Sequence, residues 1–381
     1  MTNIIYRHYK PGDEKSLADL FIIGFQQNGP GAIRTSKNWI WRYPQSPEFE
    51  PEMCQIAEDV DENKIVGAVY ANLIEEIPFG DKKYLVGDIN DVTCHPDYTR
   101  RGIATRLMEK SLDYMRKKGC KFSMLSTGHR GNARKYIYKK LGFRDYEKGC
   151  TFFQFPNIIQ FVRNIYAFSL FLPALFILSF FPRYLNRIKI RNNNFFKDIS
   201  YEINFNTKHF DYMKVANNLM PKYYEGYPVY NKSKFKWARI NVPSERNKPT
   251  YILMKKENEI IGGAVITHLN IYAFKYGLKL RIGVIHEIFL NSDIFMNKRD
   301  VQLGYNYLID KVLKAATRRG VGVLIYKSTL KDHILGRAFK SMNFIRFHDD
   351  VIMIKELMLN LEVPRIIKPL FIPTYLSLGI P

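Results

Sequence analysis

Cysteine is scarce in this sequence, and the cysteines present do not form a recognisable framework. Four occur among 381 residues, at Cys54, Cys94, Cys120 and Cys150. None shows the C-x-x-C or C-x-x-x-H spacing of a zinc site, and the pattern is not that of a disulfide-rich secreted domain. The first ten residues also lack the basic and then apolar order of a signal peptide. We therefore expect no metal centre and a cytoplasmic location.

Acidic residues are few relative to basic ones. The chain has 58 Lys and Arg against 36 Asp and Glu, a formal net charge of +22. Such an excess favours anionic partners, namely a phosphate-bearing cofactor, anionic lipid or nucleic acid. No nucleic-acid recognition motif or basic–aromatic repeat accompanies the charge, so nucleic-acid binding is not expected.

The most informative stretch is a strand, a basic turn and a helix near residue 100. Apolar residues at 84–89 lead into a strand that Pro96 ends, because proline cannot donate to a sheet ladder. After Gly102, apolar residues fall on one helical stripe over 103–118. A helix that begins in a glycine turn presents free N–H groups to an anion, and Arg100 and Arg101 add positive charge. The pattern predicts a phosphate-binding loop.

The elements that follow make this interpretation more specific. A short apolar strand is predicted at 122–126 and a helix at about 131–140, with Gly142 suited to a left-handed cap. Tyr138 lies four residues before that glycine, and Phe143 follows it.

This order and its motifs resemble the GCN5-related N-acetyltransferase (GNAT) superfamily over roughly residues 3–155. The family's pyrophosphate loop, R/Q-x-x-G-x-G/A, is matched by Thr99–Ala104 except at Thr99, where the family usually has Arg or Gln. The tyrosine before a Gly-Phe pair is matched by Tyr138 and Gly142–Phe143. The resemblance implies an α/β fold, with a mixed, mostly antiparallel sheet flanked by helices, and acetyl-CoA as co-substrate.

The resemblance also implies a set of cofactor contacts. The backbone of Val92, Thr93 and Cys94 would pair with the pantetheine arm, in the manner of an added strand. The pyrophosphate would lie on the loop and the first helical turn, which comprise Thr99, Arg100, Arg101, Gly102, Ile103, Ala104 and Thr105.

Acetyl transfer requires a deprotonated amine and a protonated or stabilised leaving thiolate. Strand alternation places Asp88, Asn90, Val92 and Cys94 on one face and Ile89, Asp91 and Thr93 on the other. In the family a strand carboxylate often serves as base, which makes Asp88 the first candidate and Asp91 the second. Either aspartate could instead be solvated or cap a turn. Tyr138 is the candidate proton donor, or else a packing residue, and Cys94 is not expected to act as a nucleophile.

A second copy of the pattern follows in the C-terminal half. Residues 62–69 recur as 257–264, and Lys117–Gly119 is echoed by Arg318–Gly320. The repeat predicts two tandem GNAT-like domains, and an internal pseudo-dimer is one arrangement that we expect for them. The copy is degenerate, because Val301–Leu303 replaces the basic glycine loop and Phe339 replaces Tyr138. His286 and Glu287 on its central strand remain candidates for a contribution to the site.

Between the copies, residues 164–182 carry no charge and are followed by Arg183, Arg187, Lys189 and Arg191. The length alone would allow one tilted membrane span, but a span would separate the two related domains, and Pro173 would break the helix. We expect peripheral contact with the cytosolic membrane face, the alternative being a linker buried against protein. The predicted segments are a catalytic domain at 1–155, the insert at 156–195, a degenerate domain at 196–360 and an apolar tail at 361–381.

The sequence thus predicts an N-acyltransferase that transfers an acetyl group from acetyl-CoA to a small-molecule or peptide amine. Two alternatives remain open: transfer of a longer acyl chain to a lipid-associated amine, and a non-catalytic module that binds coenzyme A. The acceptor is not specified. Trp39, Trp41 and Tyr43 could line its pocket, although a place in the core is favoured.

Overall fold

The chain forms two compact units in the computed structural model. Unit 1 comprises Met1–Gly149, Glu225–Val229 and Asp349–Pro381, and unit 2 comprises Cys150–Tyr224 and Tyr230–His348. The residues that the structure describes are 3–26, 31–32, 35–164, 170, 172–205, 210–242, 248–273, 278–348 and 350–374. The predicted boundaries differ from this division, because they assign 349–360 to the second domain and treat 361–381 as a separate tail.

Unit 1 is built on a mixed sheet with one parallel pair. Its strands follow the order β1-β3-β4-β5-β6-β14-β7, and only β5 and β6 are parallel neighbours. This agrees with the predicted mixed, mostly antiparallel sheet. The helices and strands from this part of the chain are β1 (Ile4–His8), α1 (Glu14–Gln26), β2 (Gly31–Ala32), α2 (Ser36–Arg42), β3 (Cys54–Asp59), β4 (Lys64–Phe79), β5 (Lys82–Cys94), α3 (Ile103–Lys117), β6 (Phe122–Gly128), β7 (Arg144–Gln154) and β14 (Asp350–Glu356).

Strand β14 comes from the far end of the chain and lies between β6 and β7. Its residues Val351 and Met353 are buried in the core that contains α3, whereas Ile352 and Ile354 are buried in the core on the other face. A continuous apolar run is typical of a strand that is covered on both faces. The sequence pattern around 350 therefore belongs to the sheet of unit 1.

Helix α3 packs on the sheet through the predicted stripe. Ile103, Leu107, Leu112 and Met115 are all buried in one core cluster. The helix begins after Gly102, as predicted, and it ends at Lys117, one residue before the predicted end.

The opposite face of the unit 1 sheet has two apolar clusters. Trp39 and Tyr43 lie in one of them and are buried, and the Trp39 indole N–H donates to the Tyr70 hydroxyl at 2.9 Å. The C-terminal segment forms part of the other, where Ile366, Leu370 and Ile372 are buried. The aromatic residues near 40 are thus core residues, which the sequence favoured.

Unit 2 repeats the order of elements found in unit 1. A two-strand antiparallel pair, a short 3-10 turn, a long helix and a parallel strand follow one another in β10, β11, Ser292–Ile294, α8 and β12. The elements of this unit after β7 are α4 (Ile158–Asn164), α5 (Leu172–Arg191), β8 (Ile199–Phe205), α6 (Phe210–Tyr223), α7 (Lys232–Phe235), β9 (Thr250–Lys256), β10 (Glu259–Ala273), β11 (Leu278–Leu290), α8 (Lys298–Arg318), β12 (Val323–Thr329), α9 (His333–Ser341) and β13 (Ile345–Phe347).

The uncharged insert contributes α5, a helix that packs within unit 2. Arg183 and Arg187 both pair with Asp310 of α8, and Asn186 is buried. The helix begins next to Pro173 and contains Pro182. Among the helices of the described part of the chain, none has both the length and the apolar character needed to cross a bilayer.

Candidate functional site

Strands β5 and β6 separate part-way along their length. They pair over Val86–Asp88 and Phe122–Met124. Among the described residues, their pairing does not extend beyond these positions. Strand β5 continues to Cys94 along β4, and β6 continues to Gly128 along β14. The facing edges of the separated parts therefore offer backbone groups to an extended ligand, in the manner of an added strand.

The turn before α3 is shaped to accept an anion at this opening. Arg100 and Gly102 both have left-handed backbone angles, with φ of 64° and 78°. Gly102 is the N-cap of α3, and no side chain caps the first N–H groups of the helix. Those groups and the helix dipole favour a negative charge here. A side chain at Gly102 would meet open space. Glycine is therefore favoured here by the left-handed backbone angle and not by a lack of room.

The side chains of the loop surround this helix start. Thr99, Arg100 and Arg101 are exposed, and the Thr99 hydroxyl donates to the carbonyl of Pro96 at 2.9 Å. Arg101 donates to the Asp97 carbonyl, and its guanidinium lies 4.8 Å from the centre of the Tyr98 ring. Thr99 therefore stabilises the turn, and the arginines supply the positive charge.

The predicted face of the last β5 residues is wrong, because the strand contains a bulge. Strands β4 and β5 pair as Ala68 with Thr93 and Tyr70 with Asn90, so two residues of β5 lie opposite one of β4. Asp91 is the residue that adopts a left-handed angle, with φ of 47°. A bulge shifts the alternation by one, so Val92 and Cys94 pack on the α3 side together with Ile89.

Asp91 itself is held by residues of α2 and its C-terminus. The Tyr43 hydroxyl donates to the Asp91 carboxylate, and Arg42 lies 3.7 Å from the same oxygen. The Asp91 and Arg42 side chains are both buried. This arrangement holds Asp91 at the bulge by contacts with Tyr43 and Arg42.

Asp88 lies on the face of β5 opposite α3, where it is 2% exposed. It lines a small cavity with Met124 of β6, Gly226 of the 225–229 segment and Leu370 of the C-terminal segment. The wall of this cavity is otherwise apolar, and a carboxylate placed in such a site is a candidate base.

The 225–229 segment is a part of this site that the sequence did not indicate. The Gly80 N–H donates to a carboxylate oxygen of Glu225 at 2.7 Å, and the Gly226 N–H donates to the Pro78 carbonyl. The Glu225 N–H also donates to the Pro369 carbonyl, and the Glu225 carbonyl accepts from the Phe371 N–H. Nothing in the local pattern marks these residues, because their position depends on contacts far apart in the chain.

Tyr138 lies in the same core cluster as Ile103 and Ile89, on the α3 side of the opening. The predicted helix at about 131–140 is present over 132–138, and its residues Arg134–Tyr138 form a π-helical turn. Burial raises the pKa of Tyr138 well above its ordinary value, so the phenol keeps its proton at neutral pH. Its ring also packs edge-on against Phe143, at 6.2 Å between centroids.

Cys94 shows none of the features of an activated thiol. Burial raises its pKa to about 11, and its Sγ lies 3.6 Å from the carbonyl of Tyr98. A thiol with a raised pKa is a poor nucleophile at neutral pH. This is consistent with the expectation that Cys94 contributes backbone rather than chemistry.

The equivalent helix start in unit 2 is built differently. Helix α8 begins at Lys298, and Asn297 caps it by accepting from the N–H groups of Arg299 and Asp300. On β11, burial lowers the pKa of His286 well below its ordinary value, and the ring lies 2.6 Å from the Thr267 hydroxyl. Glu287 is 2% exposed.

Comparison with known proteins finds a family resemblance in the first unit. Residues 5–145 match the family model described as acetyltransferase (GNAT) domain. An uncharacterized N-acetyltransferase of Methanocaldococcus jannaschii is 33% identical over 66 residues, which span 17% of this chain and 29% of that protein. The predicted resemblance to the GNAT superfamily is thus confirmed.

Solved structures show the same fold over most of the chain. N-myristoyltransferase of Saccharomyces cerevisiae with bound myristoyl-CoA matches with a TM-score of 0.68 at 11% identity, covering 93% of this chain and 83% of that one. A GCN5-related N-acetyltransferase from Anabaena variabilis matches with a TM-score of 0.57 at 12% identity, covering 93% and 73%. At this identity, the likeness concerns the fold.

Proposed function

We propose that the GNAT domain of this chain is the catalytic part of an N-acyltransferase that uses acetyl-CoA. The observation that carries the proposal is the opening between β5 and β6, which leads to an uncapped helix start flanked by Arg100 and Arg101. The opening fits an amide-containing arm, and the helix start fits a pyrophosphate. Unit 2 then serves as a scaffold whose corresponding helix start no longer accepts the cofactor.

The proposed reaction is direct attack of an amine on the thioester. The amine nitrogen bonds to the carbonyl carbon while the carbon–sulfur bond breaks. Asp88 accepts the proton that the amine loses, and the Tyr138 hydroxyl donates a proton to the departing thiolate.

The decisive experiment measures release of free coenzyme A from acetyl-CoA with a panel of amines and peptides. We expect turnover with at least one acceptor class and a fall in kcat of about 100-fold or more in Asp88→Asn, because that variant cannot accept the proton. A matched control is Asp113→Asn, which removes an exposed carboxylate of α3. Acetyl-CoA binding without turnover by any amine would instead favour the non-catalytic binding module.

Transfer of a longer acyl chain is the second candidate. It is supported by the fold shared with a myristoyltransferase solved with myristoyl-CoA. Competing acetyl-CoA against myristoyl-CoA in the same assay separates the two donors. Preference for acetyl-CoA by kcat/KM is our expectation, and the reverse preference would establish the longer-chain reaction.

We also propose that α5 contacts an anionic membrane surface. Several of its large apolar side chains are exposed, including Ile177 at 63% and Phe181 at 57%. Lys189 and Arg191 near its end are exposed as well and complement lipid phosphates. We expect co-sedimentation with vesicles that contain anionic lipid and loss of it in Ile177→Ser/Phe181→Ser. Met296→Ser, which removes another exposed apolar side chain of unit 2, should have no effect. Equal sedimentation of all three proteins would contradict the proposal.

A further inference from the structure

Unit 2 contains a cleft of about 760 Å³ that has no part in the proposed reaction. It lies between the end of β12, one face of α9 and strand β13. Its volume is within the range of pockets that hold small molecules. We call it the basic cleft because of its lining.

The lining of the basic cleft concentrates positive charge. Arg337 and Lys340 are exposed and lie three residues apart on α9, and Arg346 reaches the cleft from β13. His333 and His348 also line it. Across the described residues, no ion pair joins Arg337, Lys340 or Arg346 to a carboxylate. Like charges held together without counter-ions repel one another, and a bound anion relieves that repulsion.

One carboxylate lines the cleft, and it is already used inside the protein. Asp332 accepts from the Tyr224 hydroxyl at 2.8 Å and from the backbone N–H of Leu335, as the N-cap of α9. Asp332 is 8% exposed. It therefore serves the fold and does not neutralise the three exposed cations.

A buried hydroxyl gives an independent sign of a ligand. Thr329 lines the cleft and is 2% exposed, and its Oγ1 has no hydrogen-bond partner in the described part of the chain. Buried hydroxyl groups are normally hydrogen-bonded, so an unpartnered one at a cleft wall suggests a missing acceptor. Phe152 and Phe344 add buried aromatic surface beside it.

The basic cleft is not a second coenzyme A site of the kind present in unit 1. None of its lining residues comes from the start of α8, which corresponds to the pyrophosphate loop. That helix start is already capped by Asn297. The charge of the cleft must therefore be explained by another ligand.

We propose that the basic cleft binds a small phosphate ester with an apolar group. The arginine and lysine side chains hold the phosphate, which offers several acceptor oxygens to their N–H groups. The Thr329 hydroxyl donates to the ligand, and Phe152 and Phe344 cover its apolar part. The proposal goes beyond the acyl transfer of unit 1 and does not depend on it.

The test uses phenyl phosphate as the probe and isothermal titration calorimetry on the full chain. Saturating coenzyme A is added first, so that the loop in unit 1 is occupied. We expect binding of phenyl phosphate with a stoichiometry of one, and weaker binding of inorganic phosphate, which lacks the apolar group. Arg337→Gln/Lys340→Gln should weaken binding by about 100-fold, and Thr329→Val by about 10-fold.

The matched control is Lys298→Gln/Arg299→Gln, which removes two exposed cations elsewhere in unit 2. It should leave the affinity unchanged. Equal weakening by both double variants would show general electrostatic attraction and overturn the proposal. Absence of phenyl phosphate binding, or binding of an oligoglutamate peptide in its place, would overturn it as well. Loss of acetyl transfer with phenyl phosphate binding retained would affect only the proposed function.

Discussion

The starts of α3 and α8 follow the same order of elements in the two units, but only the first N–H groups of α8 are capped by a side chain. At α3 the N-cap is Gly102, no side chain caps the helix, and the flanking residues are arginines. At α8 the Asn297 side chain accepts from two N–H groups, and Asp300 adds a negative charge in the first turn. One helix start is thus open to an anion, and the other is satisfied by its own chain.

This difference teaches that two helices with the same packing role can differ in whether their first turn is open to an anion. A capping asparagine stabilises a helix start and occupies the N–H groups that an anion would otherwise bind. The apolar stripe of the helix does not need the cofactor, and α8 keeps it with Leu308, Val312 and Leu313 buried. Packing and ligand binding are therefore separable in this element.

The largest effect is expected at Tyr138, the residue that aligns with Phe339 in the predicted repeat. Tyr138→Phe should lower kcat by at least about 100-fold and leave KM for acetyl-CoA little changed, because packing is kept and the proton is lost. Steady-state kinetics measures both constants. Tyr136→Phe, at a 52% exposed position, is the control. Unchanged turnover in Tyr138→Phe would rule out its role as proton donor.

The next effect concerns the cofactor loop. Arg100→Gln/Arg101→Gln should raise the Kd for acetyl-CoA by about 100-fold, because charge-assisted contacts to phosphate are removed. Calorimetry gives the Kd directly. The corresponding variant at α8, Lys298→Gln/Arg299→Gln, should bind acetyl-CoA like the parent chain. A similar loss in both would mean that the two helix starts do not differ as cofactor sites.

The bulges of β5 and β11 should differ in how much the stability of their unit depends on pH. The bulge of β5 places Asp91 beside Arg42, whereas the corresponding irregularity of β11 lies at His286. Burial and the nearby Arg239 lower the pKa of His286, so unfolding takes up a proton in acid. The stability of unit 2 should be full above about pH 6.5 and fall by up to about 1.4 kcal/mol per pH unit below it.

Hydrogen exchange of β11 amides between pH 5 and pH 8 measures this change. His286→Asn keeps a polar side chain for Thr267 and removes the titration, so its exchange-derived stability should depend less on pH. The same pH dependence in both proteins would contradict the assignment to His286.

The smallest effect is on the helix starts themselves. Asn297→Ala should destabilise unit 2 by about 1 kcal/mol through loss of the cap. Gly102→Ala should destabilise unit 1 by a similar amount, about 1 kcal/mol, because φ of 78° is strained for alanine. Urea unfolding measures both, and only Gly102→Ala should also weaken acetyl-CoA binding. Acetyl-CoA binding that is weakened equally by Asn297→Ala would remove the distinction.

Local patterns were sufficient to predict the elements around the cofactor loop. Gly102 and the apolar stripe from Ile103 to Met115 specify a helix start and a packing face within a few residues of sequence. The bulge at Asp91 was missed because strict alternation was assumed along β5, whereas an extra residue shifts the alternation by one. Its consequence is large, since Val92 and Cys94 change faces.

Long-range placement could not be predicted. The neighbours of Glu225 in the sequence are mainly tyrosines and a glycine, a pattern typical of a loop. Glu225 nevertheless forms hydrogen bonds with Gly80 and Phe371. The run from Val351 to Ile354 is apolar in the sequence and was assigned to the second domain, but its sheet neighbours are β6 and β7 of unit 1. Sequence patterns specify burial and not the partner strand.

The position of β14 determines when unit 1 can be completed during synthesis. A ribosome that has finished β7 must still produce all of unit 2 before Asp350–Glu356 can enter the sheet. Until then the edges of β6 and β7 that β14 will occupy are exposed, which is the condition under which strands aggregate. Closing so long a loop costs little more entropy than closing a shorter one, but it delays folding. A chain cut at residue 155 would lack β14 permanently, and we expect unit 1 to need the rest of the chain in order to fold.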